Sequence, residues 1–241
     1  IVPNAEVRAS YEQFHDRVTL VPPCHVFPLD ELDGLPPARR IPPFTISVVL
    51  AGLDPDPVAE TIVEVVAGKI RESGLFKSLV SVELLDLDPA RPAGSLLPLL
   101  AGISRQGLAE VRQHDLIGIE ELLAVARQSD IVIVPRLTGV YCAWVEAFRD
   151  AGAAIVSPAS EFSTEFRTSF PFKVFATGAP RREDICAAID SAAQSLAEGR
   201  VPAVGADRRR HQRRLIAAQH AQIYRRAMLG SRETPAEPQL V

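Results

Sequence analysis

Ile119-Glu-Glu-Leu-Leu-Ala-Val-Ala-Arg-Gln128 runs through Ser129-Asp130 straight into Ile131-Val-Ile-Val-Pro135. The first part reads as a helix and the last as a buried strand. An unbroken apolar, β-branched run suits a strand covered on both faces, the usual condition of a parallel sheet. Upstream, Phe44-Thr-Ile-Ser-Val-Val-Leu-Ala51 is a second such run and ends at Gly52. Asp54-Pro-Asp-Pro57 then opens a helix, with Asp56 as cap and Pro57 in the first turn. Val58, Ile62, Val65, Val66 and Ile70 form its apolar face. A strand is expected over Leu79 to Leu87, stopped by Asp88-Pro89. Ala90 to Gln113 reads as a loop with one helical segment around Leu96 to Ile103.

Downstream, the turn Arg136 to Val140 opens a helix over Tyr141 to Asp150, ended by Gly152. Strands are expected at Ala153 to Val156 and Pro171 to Thr177, then a helix over Arg181 to Ala197. After a Gly/Pro linker from Gly199 to Gly205, Asp207 is expected to cap a long basic helix to Met228. Strands alternating with helices predict an α/β fold, a Rossmann-like doubly wound parallel sheet. Ligands of such sheets bind outside the carboxyl ends of the strands. The turns after Ala51, Leu87 and Pro135 are therefore the candidate positions.

The composition is that of an ordinary globular chain: 241 residues, 47% apolar and 23% charged, with a net charge of -4. Nothing in that balance recruits a polyanion. Cys24, Cys142 and Cys186 are far apart, without C-x-x-C pairs or histidines at ligand spacing, which suits a reducing, cytoplasmic setting. No apolar run approaches bilayer length. The opening Ile-Val-Pro-Asn lacks both an initiator Met and a signal-peptide layout, so the sequence reads as a piece of something longer. Residues 1–43, with Pro22-Pro23, Pro36-Pro37 and Pro42-Pro43, read as a connector. The main domain is expected over 44–205, the C-terminal helix over 206–229, and a frayed tail over 230–241.

Residues 117–158 carry a resemblance. Glu120 to Pro135, then Thr138-Gly-Val-Tyr-Cys-Ala-Trp-Val-Glu-Ala147, then Ala151-Gly-Ala-Ala-Ile-Val-Ser-Pro158 are similar, in order and spacing, to the donor-site block of retaining GT-B-fold glycosyltransferases of family 4 (the group 1 type). Val18-Thr-Leu-Val-Pro-Pro23 is similar to that family's interdomain hinge, and Ile1 to Arg8 looks like the end of its acceptor domain. Val174 to Ile189 resembles a later strand and helix. The last helix, through Ile223-Tyr-Arg-Arg226, is like the terminal helix that packs back across both domains. Only the glutamate-containing block is specific.

The resemblance implies that this is the C-terminal, nucleotide-sugar-binding half of a glycosyltransferase of hexosyltransferase type. The acceptor would be a polysaccharide, lipid or protein, with bacterial cell-surface polysaccharide a natural product class. It implies no metal and no cofactor beyond the nucleotide-diphosphate sugar, and an N-terminal acceptor domain as partner. It places Glu146 on the ribose diol, where a carboxylate makes charge-assisted hydrogen bonds. Gly139, Val140 and Tyr141 would offer a helix mouth to the pyrophosphate. Gly52 and Gly118 would line the same pocket.

Two departures matter. Thr138 stands where the family has its first glutamate. The turn Gly52-Leu-Asp-Pro-Asp-Pro57 carries two aspartates where the family has a phosphate-gripping Arg and Lys, and losing such a clamp costs orders of magnitude in rate. Arg136 or Arg105 would have to substitute from another loop. The alternative is a catalytically degenerate GT-B-like domain serving as an interaction or scaffolding module, and this piece alone is expected to be inactive. Plainer readings stand beside these. Glu146 would be a solvated helix residue, Trp144 and Tyr141 packing residues, and Asp86-Leu-Asp88 a turn rather than a metal site. His25 and His114 would be loop histidines, and Asp207 to Arg214 a solvated helix face that binds no nucleic acid.

Overall fold

The computed structural model describes residues 41–51, 57–83, 95–114, 118–135, 143–159, 172–175, 180–201 and 206–229. The expectations for residues 1–40, the turns at 52–56 and 136–142, Asp86-Leu-Asp88 and the tail lie outside them. Chain order is β1 (Phe44–Ala51), α1 (Pro57–Glu72), β2 (Phe76–Glu83), α2 (Leu96–Arg105), β3 (Glu110–His114), α3 (Ile119–Gln128), β4 (Ile131–Ile133), α4 (Ala143–Asp150), β5 (Ala154–Pro158), β6 (Phe172–Phe175), α5 (Arg182–Ala197) and α6 (Ala206–Leu229). The strands form one six-stranded sheet in the order β3-β2-β1-β4-β5-β6. All five pairings are parallel, as the buried apolar runs predict.

The period-two alternation of each strand sorts its side chains between two cores. Ile46, Val48 and Leu50 of β1, Ile131 and Ile133 of β4, and Ala154 and Val156 of β5 point into one core. There they join Ile62, Val65 and Val66 of α1, Leu96 and Leu100 of α2, and Ile185 and Ile189 of α5. Val49, Val132 and Ile155 point the other way, to Leu122, Leu123 and Val125 of α3 and Val145, Ala147 and Phe148 of α4. The result is a three-layer domain with its sheet covered on both faces.

The Ser129-Asp130 step explains how α3 enters β4 without a connector. The Asp130 carboxylate accepts the Thr45 N–H at 2.7 Å. Its backbone N–H donates to Thr45 O at 2.9 Å, and its carbonyl accepts the Ala154 N–H at 2.8 Å. The Ser129 hydroxyl donates to Val125 O at 2.7 Å and also contacts the Ser47 hydroxyl. These bonds occupy polar groups that would otherwise be buried unpaired at the sheet's amino edge.

Several expectations need correction. β2 begins at Phe76, three residues before the expected Leu79, because Phe76 pairs with Phe44 and anchors the register. The stretch read as mostly loop contains α2 through Arg105 and a whole strand, β3. Glu110-Val-Arg-Gln-His114 escapes a hydrophobic-run reading because it is an edge strand, and its one large apolar residue, Val111, is only half-buried. Asp207 lies within α6 rather than capping it, and its carboxylate accepts from Arg210 at 2.7 Å.

Candidate functional site

The strand order reverses direction between β1 and β4. β1 leads through α1 to β2 on one side, whereas β4 leads through α4 to β5 on the other. In sheets of this kind, ligands bind in a crevice outside the carboxyl ends of the two strands at such a switch point. β1 and β4 are directly paired there, with Val48 opposite Ile133. α4 starts from this edge, and Glu146 stands in its first turn.

Thr138, Gly139, Val140, Tyr141 and Gly52 fall outside the described residues. Gly118 caps the start of α3 with extended backbone (φ -75°, ψ 163°), beyond the carboxyl end of β3. β3 itself is three strand positions from β4, about 14 Å at ordinary strand spacing. Open space surrounds the position where a Cβ would stand, so packing does not require glycine there. Arg105, a proposed substitute cation, lies in the last turn of α2 and delivers the chain toward the amino end of β3. That is the wrong edge of the sheet for a phosphate clamp. Arg136 falls outside the described residues.

Glu146 is neither a solvated surface residue nor an open one. It is 3% exposed, Asp150 is 0% exposed, and both face Arg209 of α6, itself 1% exposed. The one-turn spacing of α4 puts Glu146, Arg149 and Asp150 on a single face. Arg209 Nε donates to Asp150 Oδ1 at 2.7 Å, and its Nη2 donates to Glu146 Oε2 at 2.9 Å and also to Asp150 Oδ1. Nη1 donates to Gln212. Arg149 pairs with the same Glu146 oxygen from within α4. Two carboxylates and two guanidiniums thus form a formally neutral cluster, buried except at the partly exposed Arg149. Such clusters persist only when nearly every polar group is bonded. Here Asp150 Oδ2 and Arg149 Nε lack a hydrogen-bond partner among the described residues.

The electrostatics follow from burial. Desolvation pushes the Asp150 carboxyl from its usual 3.8 up to about 6, and the Glu146 charge adds to this, while Arg209 and Arg149 pull it back. Burial also draws the Arg149 guanidinium below its usual range, against the pull of Glu146 and Asp150 and with the help of Arg209 and Arg208. Because its folded pKa lies above its unfolded one, Asp150 binds a proton first in the folded state. Its contribution to stability is least above pH 6 and grows as the pH falls toward 3.8. The thermal midpoint of the wild type should therefore gain on that of Asp150→Asn as the pH is lowered from 7 to 5. A difference that stays flat across that range contradicts the assignment.

Arg209, Arg149 and Asp150 were not legible as site residues. Arg209 sits in the run Asp207 to Arg214, which reads as a solvated face, and its neighbours Arg208, Arg213 and Arg214 are indeed exposed. A single buried arginine among them leaves no local signature, since its partners lie 59 and 63 residues away.

Among the described residues no helix is long and apolar enough to cross a membrane. No family model matches the chain, and no curated protein matches it. Solved structures do share its fold. Sucrose-phosphate synthase from Thermosynechococcus elongatus superposes with a TM-score of 0.61 at 18% identity, over 95% of this chain and 58% of that one. The structure described as trehalose-6-phosphate from E. coli bound with UDP-2-fluoro glucose gives 0.53 at 15% identity, over 91% and 53%. The pneumococcal O-GlcNAc transferase GtfA in complex with UDP and GlcNAc gives 0.53 at 10% identity, over 90% and 41%. The chain therefore spans about half the length of each. At these identities the likeness establishes the fold: a Rossmann-like domain of the kind found in GT-B glycosyltransferases.

Proposed function

We propose that the chain is the nucleotide-sugar-binding half of a two-domain glycosyltransferase. The observation that carries this reading is the placement of Glu146 in the first turn of the helix that leaves the switch-point edge, on a fold shared with sugar transferases. Two of the neighbouring structures hold a uridine nucleotide or nucleotide sugar. In this reading Glu146 takes the ribose hydroxyls, and the backbone at Thr138 to Tyr141 faces the pyrophosphate, where free N–H groups and the helix dipole favour negative charge. Gly52 and Gly118 line the approach. An acceptor-binding half of the same polypeptide supplies the polysaccharide, lipid or protein acceptor, and hexosyl transfer to bacterial cell-surface polysaccharide, in the cytoplasm, is the reading that fits the sequence. No metal ion takes part.

A second reading is favoured by one observation: the Glu146 carboxylate is already shared by two guanidiniums. A domain that kept the fold and turned this carboxylate to internal use would be a degenerate module serving in assembly. Titration calorimetry with UDP, GDP and ADP separates the two. The donor-binding reading expects one of them to bind in the range of about 1 μM to 1 mM usual for enzyme substrates. Glu146→Gln should weaken it by about 10- to 100-fold, the worth of hydrogen bonds to a charged group. Absence of binding by the wild-type chain leaves the assembly module as the answer.

A further inference from the structure

The C-terminal helix reaches the candidate site through one side chain. Arg209 spends its guanidinium on three partners: Asp150, Glu146 and, from its own helix, Gln212. Glu146 and Asp150 lie one turn apart on α4, so a planar fork bridging them fixes the rotation of α4 about its axis as well as the Glu146 rotamer. An ammonium offers no such fork. The contacts from both guanidiniums reach Glu146 at Oε2. The carboxylate is thereby oriented by that oxygen.

Charge leads to the same place. With Arg209 present, the two carboxylates are balanced by two guanidiniums. Without it the cluster carries a net negative charge close to the helix start that is proposed to face a pyrophosphate. In a buried setting that charge is poorly screened.

We propose that Arg209 is a positioning residue for the donor site: held by α6, it orients Glu146 and neutralises the base of α4, so that nucleotide affinity depends on the seating of the C-terminal helix. This rests on the donor-binding reading above and adds that α6 is part of the binding apparatus. A purely architectural Arg209 would affect stability alone.

The test is a double-mutant cycle read by calorimetry, using whichever of UDP, GDP and ADP the wild-type chain binds. Arg209→Met should weaken binding about 10-fold or more, and Arg209→Lys, which restores the charge without the fork, should recover part of the loss. The Arg209→Met/Glu146→Gln double variant should bind within about twofold of Glu146→Gln alone, because residues acting through one another are not additive. Phe148→Leu serves as the stability control. It loosens the packing of α4 without touching the carboxylates, and should lower the thermal midpoint while leaving affinity within about twofold. Losses that add across the cycle, unchanged affinity in Arg209→Met, or an equal affinity loss in Phe148→Leu would each overturn the role of Arg209. Should the wild-type chain bind none of the three nucleotides, the donor-binding reading falls first and this role falls with it.

Discussion

Replacing Arg209 by methionine should lower the unfolding free energy by about 3–5 kcal/mol at pH 7, the usual cost of removing one partner from a buried ion pair. The size follows from what remains. Glu146 and Asp150, both nearly inaccessible, would be left with Arg149 alone, itself already destabilised by burial. Methionine fills much of the space of the arginine stem, so the loss reports charge more than volume. Protonation offers the cluster an escape. Asp150 already titrates near 6 with Arg209 in place, and without that guanidinium its carboxyl moves higher still. The deficit of the variant should therefore shrink between pH 7 and pH 5. Removing all three charges together, as Glu146→Met/Asp150→Leu/Arg209→Met, should restore most of the stability, because apolar replacements of buried ionic networks are often neutral or better. Urea denaturation at the two pH values measures this. A loss below about 1 kcal/mol at pH 7 would mean that water reaches these groups and that the cluster is no buried clamp.

Phe148→Ala should cost about 3–5 kcal/mol, the range for emptying a fully enclosed aromatic site. Phe148 has no exposed surface and belongs to the core that α3 and α4 share with Val49, Val132 and Ile155 of the sheet. The backbone around it is tied down: Ala153 N–H bonds to Phe148 O at 3.0 Å as the chain turns into β5. The site therefore has little room to collapse. Unlike the Arg209 variant, this one should show no change in deficit between pH 7 and pH 5. A pH-dependent deficit for Phe148→Ala would show that the two sites are coupled through α4.

The contrast between these residues also marks what could be read in advance. Phe44 to Ala51, polar only at Thr45 and Ser47, and Ile131 to Val134 are apolar because both faces of their strands are covered, so their identity as central parallel strands was plain. The helices over Ile119 to Gln128 and Arg182 to Ala197 showed equally clearly, through faces that recur every three or four residues. β3 stayed hidden because an edge strand needs little apolar surface, and Glu110-Val-Arg-Gln-His114 has little to show. Of the block Thr138 to Ala147 that carries the family resemblance, the structure describes only the last part, from Ala143 on. What no local pattern could supply was the state of Glu146. A carboxylate beside Arg149 and Asp150 on an amphipathic helix looks solvated. Its burial depends on Arg209, which arrives from a different helix after a linker of uninformative sequence. Long-range ion pairs are set by the tertiary arrangement, and the spacing of neighbours in sequence does not encode them.

Amide hydrogen exchange, with and without saturating nucleoside diphosphate, addresses the central claim most directly, because it reports where the ligand sits. The account predicts protection at the start of α4, from Ala143 through Glu146, and at the carboxyl end of β1, with no change in α1 and α5 on the opposite face. Protection confined to the amino edge of the sheet or to α1 and α5, or no protection anywhere, would contradict a nucleotide site at the β1–β4 switch point.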